Sequence, residues 1–350
     1  MRIHLLSPLS VFLLFLSCSS EPHQIRVACD NSVSGIYTVK WELFPSQAGT
    51  VKIYESVNPT TFGQEVLVGE KAIESGYSII QRPDDQRRFY RLVFNKKCTA
   101  YVGERHIPME KMDNFRDLGG YFNGKNKQIR WGKLFRSGSL FRTSDKDKAT
   151  LDSMHIKTVV DLRDHAVIKK YPSTYNAPRM DSLCLQGIST DSIFQKVLAG
   201  QMKKGDVLIA LQDLYGRILK EDKAYLMQMF NILLEEENYP VLFHCSIGKD
   251  RAGVISILIL EALGIDKDQI FHDYMLSNQY INFNRAISLD PNASAEAQEA
   301  LTTLLKANEQ LFNFVYERTR MDYGSIQEYL VKELGLTDKK RSQLKEILFY

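Results

Sequence analysis

The sequence has little excess charge of either sign. Its 45 Lys and Arg residues stand against 42 Asp and Glu residues, which leaves a formal net charge of +3 at pH 7. A nucleic-acid-binding surface or a polybasic membrane surface would require a clear basic excess, so the composition supports neither class. The chain is also poor in cysteine, with five in 350 residues. A chain of this length is long enough to form two domains.

A long apolar segment is also missing. The run from Leu5 to Leu16, which follows the positively charged Arg2, is too short to span a bilayer and is typical of a signal peptide. We predict that residues 1–17 are a signal peptide. The following Cys18-Ser19-Ser20 resembles a bacterial lipoprotein cleavage site, so Cys18 is the predicted lipidation site and residues 18–24 are a polar tether. Cleavage near Ser20 is the alternative.

Both alternatives predict an exported protein. With lipidation, the protein would be a lipoprotein of the bacterial cell envelope, held at the membrane by the lipid on Cys18. With plain cleavage, it would be periplasmic or secreted.

Residues 25–105 consist of short runs in which apolar and polar residues alternate, separated by turn residues. The run Tyr37–Leu43 is one of six or seven, and Trp41 is the predicted core residue. Strands at such intervals predict an all-β sandwich, which resembles a fibronectin type III or immunoglobulin-like module. We find no catalytic constellation in it and predict a spacer or a docking module whose partner is unknown.

Cys29 and Cys98 both belong to this module. In an exported chain they are able to form a disulfide bond, but two separately buried thiols fit equally well, and the sequence leaves both open. Cys184 lies between two leucines and is predicted to be a core residue of the second domain.

One stretch, His244–Gly253 (HCSIGKDRAG), contains a cysteine, an internal glycine and an arginine six residues after the cysteine. Apolar runs precede and follow it, which predicts a strand, a tight loop and a buried helix. The N–H groups of such a loop and the N-terminus of the helix attract an anion. A nucleotide-binding P-loop does not fit, because its upstream glycine is missing and Asp250 stands where Ser or Thr is required.

The residue types in this stretch predict attack on a phosphate ester. Thiols at helix N-termini and beside cations ionise readily, so Cys245 is the predicted nucleophile. Arg251 presents a planar set of donors to two phosphate oxygens. The expected reaction forms a phosphocysteine intermediate, which water then hydrolyses. A structural cysteine at the end of a strand is the alternative interpretation.

The stretch HCSIGKDR resembles the active-site loop of the atypical bacterial tyrosine phosphatases. Two further parts of the chain match that family: Asn114–Gly120 (NFRDLGG) with Leu134–Leu140 (LFRSGSL), and Thr158–Arg163 (TVVDLR). The resemblance implies an α/β cysteine-phosphatase domain over residues 106–350, with a central, mostly parallel sheet flanked by helices. It also implies action on phosphotyrosine and often on phosphoserine, phosphothreonine or phosphoinositides. No metal or cofactor is expected, and the residues expected to bind substrate are Ser246, Ile247, Gly248, Lys249 and Ala252.

A leaving phenolate or alkoxide needs a proton, so a carboxylic acid is expected near Cys245. Asp161 ends a strand that should run parallel to the strand before Cys245, so both would reach the same edge of the sheet. Asp250 lies within the loop itself. We favour Asp161 as the acid and Asp250 as an orienting or water-activating group. The alternatives are a structural pair of Asp161 with Arg163 and an internal ion pair between Asp250 and Arg251.

Several charged residues are expected to support the site. Lys249 is expected to add positive potential at its rim. Arg116, Asp117 and Arg136 are expected to be mainly structural and to tie the first family segment under the site. His244 is expected to form a hydrogen bond with the loop.

The chain departs from the family at Ala252, where the family usually has Thr or Ser. That hydroxyl donates to the cysteine sulfur and helps it leave, and a hydrogen bond to a charged group contributes about 1.5–3 kcal/mol. We therefore predict slow breakdown of the phosphocysteine, unless Ser246 supplies the donor. Ala252→Thr should raise steady-state turnover. Unchanged or lower turnover would contradict this prediction.

Three functions fit these observations. The first is a protein-tyrosine phosphatase, either specific for phosphotyrosine or of dual or triple specificity. The second keeps the chemistry but acts on a phosphoinositide or another small phosphate ester. The third is a catalytically weak phosphate-binding protein in which Ala252 marks decay and the sandwich is the functional module. The retention of Cys245, Arg251 and both aspartates argues against the third.

Overall fold

The computed structural model describes residues 24–33, 35–59, 65–84, 86–185, 190–283 and 294–350. The predicted signal peptide, the predicted lipidation site Cys18 and all but the last residue of the tether lie outside these ranges. Within them, no helix has the length and apolar character needed to cross a membrane.

The first part of the described chain is a pair of antiparallel sheets. One has the strand order β1-β2-β5 and the other has the order β4-β3-β6-β7. The strands are β1 Gln24–Val33, β2 Ile36–Phe44, β3 Thr50–Ser56, β4 Val66–Ala72, β5 Tyr77–Gln81, β6 Phe89–Phe94 and β7 Cys98–Gly103.

The two sheets share one apolar core, because alternate residues of their strands point to the same side. Val39 and Trp41 of β2 meet Ile53 of β3 and Leu92 of β6 there. The Trp41 side chain is 2% exposed, and its Nε1 donates to the Ile73 carbonyl oxygen over 2.8 Å. The prediction that Trp41 lies in the core is confirmed.

Cys29 in β1 and Cys98 at the start of β7 are both partly buried and are not joined by a disulfide bond. Burial raises the pKa of the Cys29 thiol well above its usual value. The structure therefore matches the second alternative for these cysteines, in which they remain two separate thiols.

The second part of the chain is built on a five-stranded sheet with the order β11-β10-β12-β9-β8. Its four strands from β11 to β9 are parallel, and β8 pairs antiparallel with β9. The strands are β8 Arg116–Asp117, β9 Leu134–Ser137, β10 Thr158–Asp161, β11 Arg179–Ser182 and β12 Val241–His244.

Apolar residues cover both faces of this sheet. Val159 and Leu242 pack on one face with Leu151 of the first helix, whereas Val160 and Phe243 pack on the other face in the larger core. Parallel strands buried on both faces are continuous apolar runs, and Val159-Val160 in β10 and Val241–Phe243 in β12 are such runs. The predicted mostly parallel sheet with helices on its faces is confirmed.

The described helices surround this sheet. They are α1 Asp145–Ser153, α2 His165–Lys170, α3 Thr190–Leu198, α4 Lys204–Lys220, α5 Lys223–Leu233, α6 Arg251–Leu263, α7 Lys267–Met275, α8 Ser277–Tyr280, α9 Ala295–Leu305, α10 Glu309–Tyr323, α11 Ile326–Glu328 and α12 Asp338–Leu348. A π-helical turn, Tyr329–Glu333, follows α11. A capping box at Ser144 opens α1, where Ser144 and Asp147 exchange side-chain-to-backbone hydrogen bonds.

Candidate active site

The loop Cys245–Asp250 joins the end of β12 to the start of α6. β12 pairs with β10 so that His244 lies opposite Asp161. The predicted parallel arrangement of these two strands is therefore confirmed, and Asp161 and Cys245 reach the same edge of the sheet. Cys245 is 3% exposed and lies at the base of the loop.

The carbonyl groups of this loop are held from outside. The Ser139 N–H donates to the Ser246 oxygen over 2.9 Å, and Asn114 Nδ2 donates to the Ile247 oxygen over 3.2 Å. Arg136 Nη2 donates to the Gly248 oxygen over 2.8 Å. In a trans peptide the N–H points away from the carbonyl oxygen, so the N–H groups that follow these three carbonyls point to the opposite side. Such a row of N–H groups is an anion-binding arrangement.

Gly248 is the residue that allows the loop to close. Its φ is +73°, in the left-handed region, and a Cβ atom there would lie 2.5 Å from the Ser137 carbonyl oxygen. Only glycine fits this position without displacing backbone. The loop therefore packs directly on the end of β9.

Arg251 opens α6, and its side chain is almost fully buried. Its Nε donates to the Leu185 carbonyl oxygen over 3.3 Å, and its Nη2 lies 3.8 Å from Asp164 Oδ2. Within the described ranges, Nη2 has no hydrogen-bond partner. Ala252, the next residue, is fully buried in the first turn of the helix.

A buried carboxylate supports the loop from below. Asp273 of α7 accepts from Arg116 Nε over 3.0 Å, from Arg136 Nη1 over 2.8 Å and from the Tyr121 hydroxyl over 3.2 Å. Burial opposes ionisation of Asp273, but the two guanidinium groups hold its pKa far below the usual range. Burial and the neighbouring Arg116 lower the pKa of Arg136 to about 10. Asp273 belongs to none of the sequence motifs, so nothing in the sequence indicated its role.

The two predicted acids are both held in buried contacts. Asp161 binds Arg163 with both oxygens, at 2.9 Å from Nε and 2.6 Å from Nη2. Burial favours its neutral form, but the His244 and Arg163 side chains outweigh burial and lower the pKa of Asp161. The predicted alternative for this residue, a structural pair with Arg163, is thus present in the structure.

Asp250 pairs with Lys249 and not with Arg251 among the described residues. Its Oδ1 lies 2.5 Å from Lys249 Nζ and accepts from the Tyr215 hydroxyl over 2.9 Å. The Lys249 side chain is fully buried. The expectation that Lys249 lies at the rim is therefore wrong, because the ammonium turns inward to the carboxylate of the next residue.

His244 lies under the same edge. Its Nδ1 is 3.5 Å from the Cys245 carbonyl oxygen, and its Nε2 is 3.6 Å from Asp161 Oδ2. Burial lowers the pKa of His244, which favours the neutral ring. At 3.5 Å, the contact of Nδ1 with the Cys245 carbonyl oxygen is at the outer limit of a hydrogen bond.

A cleft of about 620 Å³ opens above the loop. Ser246 and Ile247 line it on the loop side. Its walls are largely aromatic or aliphatic and include Phe141, Tyr171, Phe194, Leu304 and Leu305. Ser246 and Ile247 directly follow Cys245, so the cleft adjoins the loop that carries the thiol and leads to Arg251. A thiol, a guanidinium and loop N–H groups at one junction are the groups needed to attack a phosphate ester.

A family model described as the tyrosine phosphatase family matches residues 107–350. The chain belongs to this family. The finding establishes a cysteine-dependent protein-tyrosine phosphatase, as the sequence motifs predicted.

Two curated relatives illustrate the similarity. A candidate tyrosine-protein phosphatase of Cupriavidus necator is 26% identical over 245 residues, which cover 67% of this chain and 86% of the relative. The triple specificity protein phosphatase PtpB of Mycobacterium tuberculosis is 28% identical over 200 residues, covering 49% of this chain and 69% of the relative. Among solved structures, the catalytic domain of the PP-IP phosphatase SIW14 of S. cerevisiae aligns at 14% identity, with a TM-score of 0.26, over 62% of this chain and 97% of that one.

Proposed function

We propose that this phosphatase hydrolyses phosphotyrosine in proteins with Cys245 as nucleophile and Arg251 as the side chain that binds the phosphoryl group. The Cys245 sulfur forms a bond to phosphorus as the bond from phosphorus to the phenolic oxygen breaks. Water then attacks the phosphocysteine and releases inorganic phosphate and the thiolate. The observation that carries the proposal is that Cys245 and Arg251 flank one loop whose Ser246, Ile247 and Gly248 carbonyls are held from outside the loop.

The loop supplies the electrostatic stabilisation for both steps. The N–H groups between Ser246 and Asp250 and the N-terminus of α6 present partial positive charge to the phosphoryl oxygens. Arg251 adds a full charge, and its Nη2 is buried beside the loop. We propose that Ser246, Ile247, Gly248, Lys249 and Ala252 bind the phosphate through backbone groups, because the Lys249 ammonium is already bound to Asp250.

The leaving phenolate needs a proton, and the geometry argues against both predicted donors. Asp161 is ionised and bound by Arg163, and Asp250 is buried against Lys249. We propose that these two carboxylates hold the loop and its neighbours in place.

Asp164, which directly follows the TVVDLR motif, is the better donor. Its side chain is 24% exposed, and its Oδ2 lies 3.8 Å from Arg251 Nη2. Its Oδ1 accepts from the Val167 N–H over 2.9 Å at the start of α2.

Asp164→Asn should lower kcat/KM for a phosphotyrosine peptide by about 100-fold, the lower end of the usual contribution of a general acid. It should lower kcat/KM for p-nitrophenyl phosphate much less, because p-nitrophenolate leaves without a proton. Asparagine keeps the cap of α2, so the helix is retained. The measurement is kcat/KM for aryl phosphates of graded leaving-group pKa, from pH 5 to pH 8.

Asp181→Asn is the matched control, because Asp181 pairs with Arg179 on the neighbouring strand β11. It should leave the dependence on leaving group unchanged. Equal losses on good and poor leaving groups in Asp164→Asn would rule Asp164 out as the acid. The same would follow if Asp161→Asn alone produced the selective loss.

The cleft favours an aryl phosphate over a sugar phosphate. Phe141 and Tyr171 pack edge to face at 5.1 Å between ring centroids, and both line the cleft. Such walls suit a phenyl ring, which gains from aromatic contacts. Phosphoinositide headgroups need accessible cations, and Lys249 is not accessible. The phosphoinositide alternative rests on Lys170 and Arg163, which line the same cleft.

Two measurements test the proposed function. Rapid mixing with p-nitrophenyl phosphate should give a burst of p-nitrophenolate, which a phosphate-binding protein would not give. A panel of phosphotyrosine, phosphoserine and phosphothreonine peptides and phosphoinositide vesicles should then show the highest kcat/KM on phosphotyrosine. A higher value on the vesicles would establish the phosphoinositide alternative instead.

The remaining proposals concern the N-terminal part of the chain. We propose that the chain is exported and anchored through a lipid on Cys18, as its cleavage-site pattern predicts. We also propose that residues 25–105 form a fibronectin type III or immunoglobulin-like domain and residues 106–350 the catalytic domain. The order of the strands in the two antiparallel sheets supports the former. A Cys18→Ala variant that remains membrane-bound would contradict the lipid anchor.

A further inference from the structure

The β-sandwich is not a freely hinged spacer, because it packs tightly on the catalytic part. The Tyr101 backbone of β7 exchanges two hydrogen bonds with the Gln128 side chain, at 2.7 and 2.6 Å. The Tyr101 ring stacks on Tyr350 with 3.7 Å between centroids. The Tyr350 hydroxyl donates to the Pro59 carbonyl oxygen over 2.8 Å, and the Trp131 Nε1 donates to the Tyr101 oxygen over 3.1 Å.

One ion pair in this interface is almost completely buried. Arg87, between β5 and β6, places Nη2 at 2.9 Å from Asp117 Oδ2 and donates from the same nitrogen to the Glu104 carbonyl oxygen over 2.7 Å. The Asp117 side chain has no exposed surface, whereas that of Arg87 is 16% exposed. The guanidinium lies 4.6 Å from the Phe89 ring and 5.9 Å from the Phe135 ring.

Asp117 organises the part of the chain that leads to the active site. Its Oδ1 accepts from the Gly119 N–H and its Oδ2 accepts from the Gly132 N–H, both over 2.8 Å. In the part of the chain that the structure describes, Arg87 is the cationic side chain that forms an ion pair with the Asp117 carboxylate. Removing the cation would leave a buried carboxylate with only neutral donors, which is unfavourable unless the surrounding backbone shifts to admit water.

Such a shift would reach the loop in few steps. Arg116 adjoins Asp117 in β8, where it pairs with Arg136 of β9. Arg116 and Arg136 share the carboxylate of Asp273, and Arg136 holds the Gly248 carbonyl oxygen. Arg87 is therefore linked to the loop through Asp117, Arg116, Asp273 and Arg136, all four of which are buried.

We propose that Arg87 of the β-sandwich is a positioning residue for the phosphatase site, which acts through Asp117 on the loop that binds the phosphoryl group. The inference rests on the proposed function, since it assigns the sandwich a part in the same reaction. Arg87 touches no reacting atom. It fixes β8, which contains Arg116 and pairs with the strand of Arg136, and Arg136 holds the Gly248 carbonyl oxygen.

The test uses full-length Arg87→Ala and the neighbouring Arg88→Ala as the matched control. Arg88 is also buried, but it forms ion pairs with Glu55 and Asp84, which both belong to the sandwich. Burst amplitude gives the concentration of active sites, so that kcat refers to folded enzyme. Orthovanadate, a phosphate-like oxyanion, probes the loop through its inhibition constant.

Arg87→Ala should lower kcat per active site and weaken vanadate inhibition by a similar factor of about 10 to 100, the range expected for a small misplacement of a reacting geometry. Arg88→Ala should change thermal stability but neither of these constants. Arg87→Lys should restore part of the loss, because the ammonium keeps the charge. In an Asp117→Asn background, Arg87→Ala should have little further effect, because no buried charge remains to be paired.

Equal kcat and vanadate constants in Arg87→Ala and Arg88→Ala would overturn the inference. If Arg87→Ala does not fold, Arg87→Gln and Arg87→Lys provide the same comparison. The proposed function would be lost only if the parent enzyme gave no burst, so the two failures are distinguishable.

Discussion

Cys245→Ser should abolish measurable turnover of p-nitrophenyl phosphate and of phosphotyrosine peptides. A serine hydroxyl is not ionised at neutral pH, and no described base contacts position 245 to activate it; the nearest ring, His244, approaches the carbonyl oxygen and not the side chain. Loss of a nucleophile lowers kcat by a factor on the order of 10⁴ to 10⁶. The measurement is kcat per mole of folded protein.

Binding should survive this substitution. Arg251 and the loop N–H groups remain, so the Cys245→Ser variant should bind a phosphotyrosine peptide with an affinity close to the parent KM. Isothermal titration with the peptide measures this affinity. A variant that neither binds nor turns over the peptide would show that the loop had collapsed.

Cys184→Ser is the matched control for this prediction. Cys184 is equally buried in the same domain, with its Sγ 3.2 Å from His165 Nδ1. It should keep most of the parent kcat. Comparable losses in both variants would indicate general damage to the core, and full turnover in Cys245→Ser would refute a phosphocysteine mechanism.

The parts of this site that were predictable are those carried by contiguous sequence. The apolar run before Cys245 and the glycine within the loop predicted a strand, a turn and a helix, because each depends on local backbone preferences. The parallel pairing of the Asp161 and Cys245 strands followed from continuous apolar runs. These features are present.

The supporting groups were not predictable, because they come from distant elements. Asp273 lies in a helix about 150 residues after its partner Arg116, and no spacing rule connects them. The role expected of Asp161 depended on which side chains surround it, and only the fold shows that Arg163 takes both of its oxygens. Lys249 turned inward for a similar reason, since its partner is the adjacent carboxylate.

Asp273→Asn should destabilise the protein by about 3–5 kcal/mol, the usual consequence of removing one partner of a buried ion pair. Its partners Arg116 and Arg136 are both fully buried, so neither guanidinium can recover its hydration. Asparagine keeps the shape of the side chain, so the loss of stability measures the effect of removing the negative charge. The measurement is the free energy of unfolding in urea at pH 7.

The same substitution should change the response to acid. The folded-state pKa of Asp273 lies below its unfolded value of about 4. The carboxylate therefore contributes stability above the unfolded pKa, and that contribution is lost as pH falls toward the folded pKa. The parent protein should lose stability from about pH 5 downward, and Asp273→Asn should lack this part of the loss.

Asp213→Asn is the appropriate control, because Asp213 forms an exposed pair with Arg217 on α4, and such pairs contribute about 0–1 kcal/mol. Vanadate inhibition distinguishes a role of Asp273 in holding the loop from a role in the stability of the whole domain. Because Arg136 holds the Gly248 oxygen, Asp273→Asn should also weaken vanadate inhibition under conditions where the variant is fully folded. Stability and inhibition equal to those of Asp213→Asn would show that Arg136 holds the Gly248 oxygen without the carboxylate.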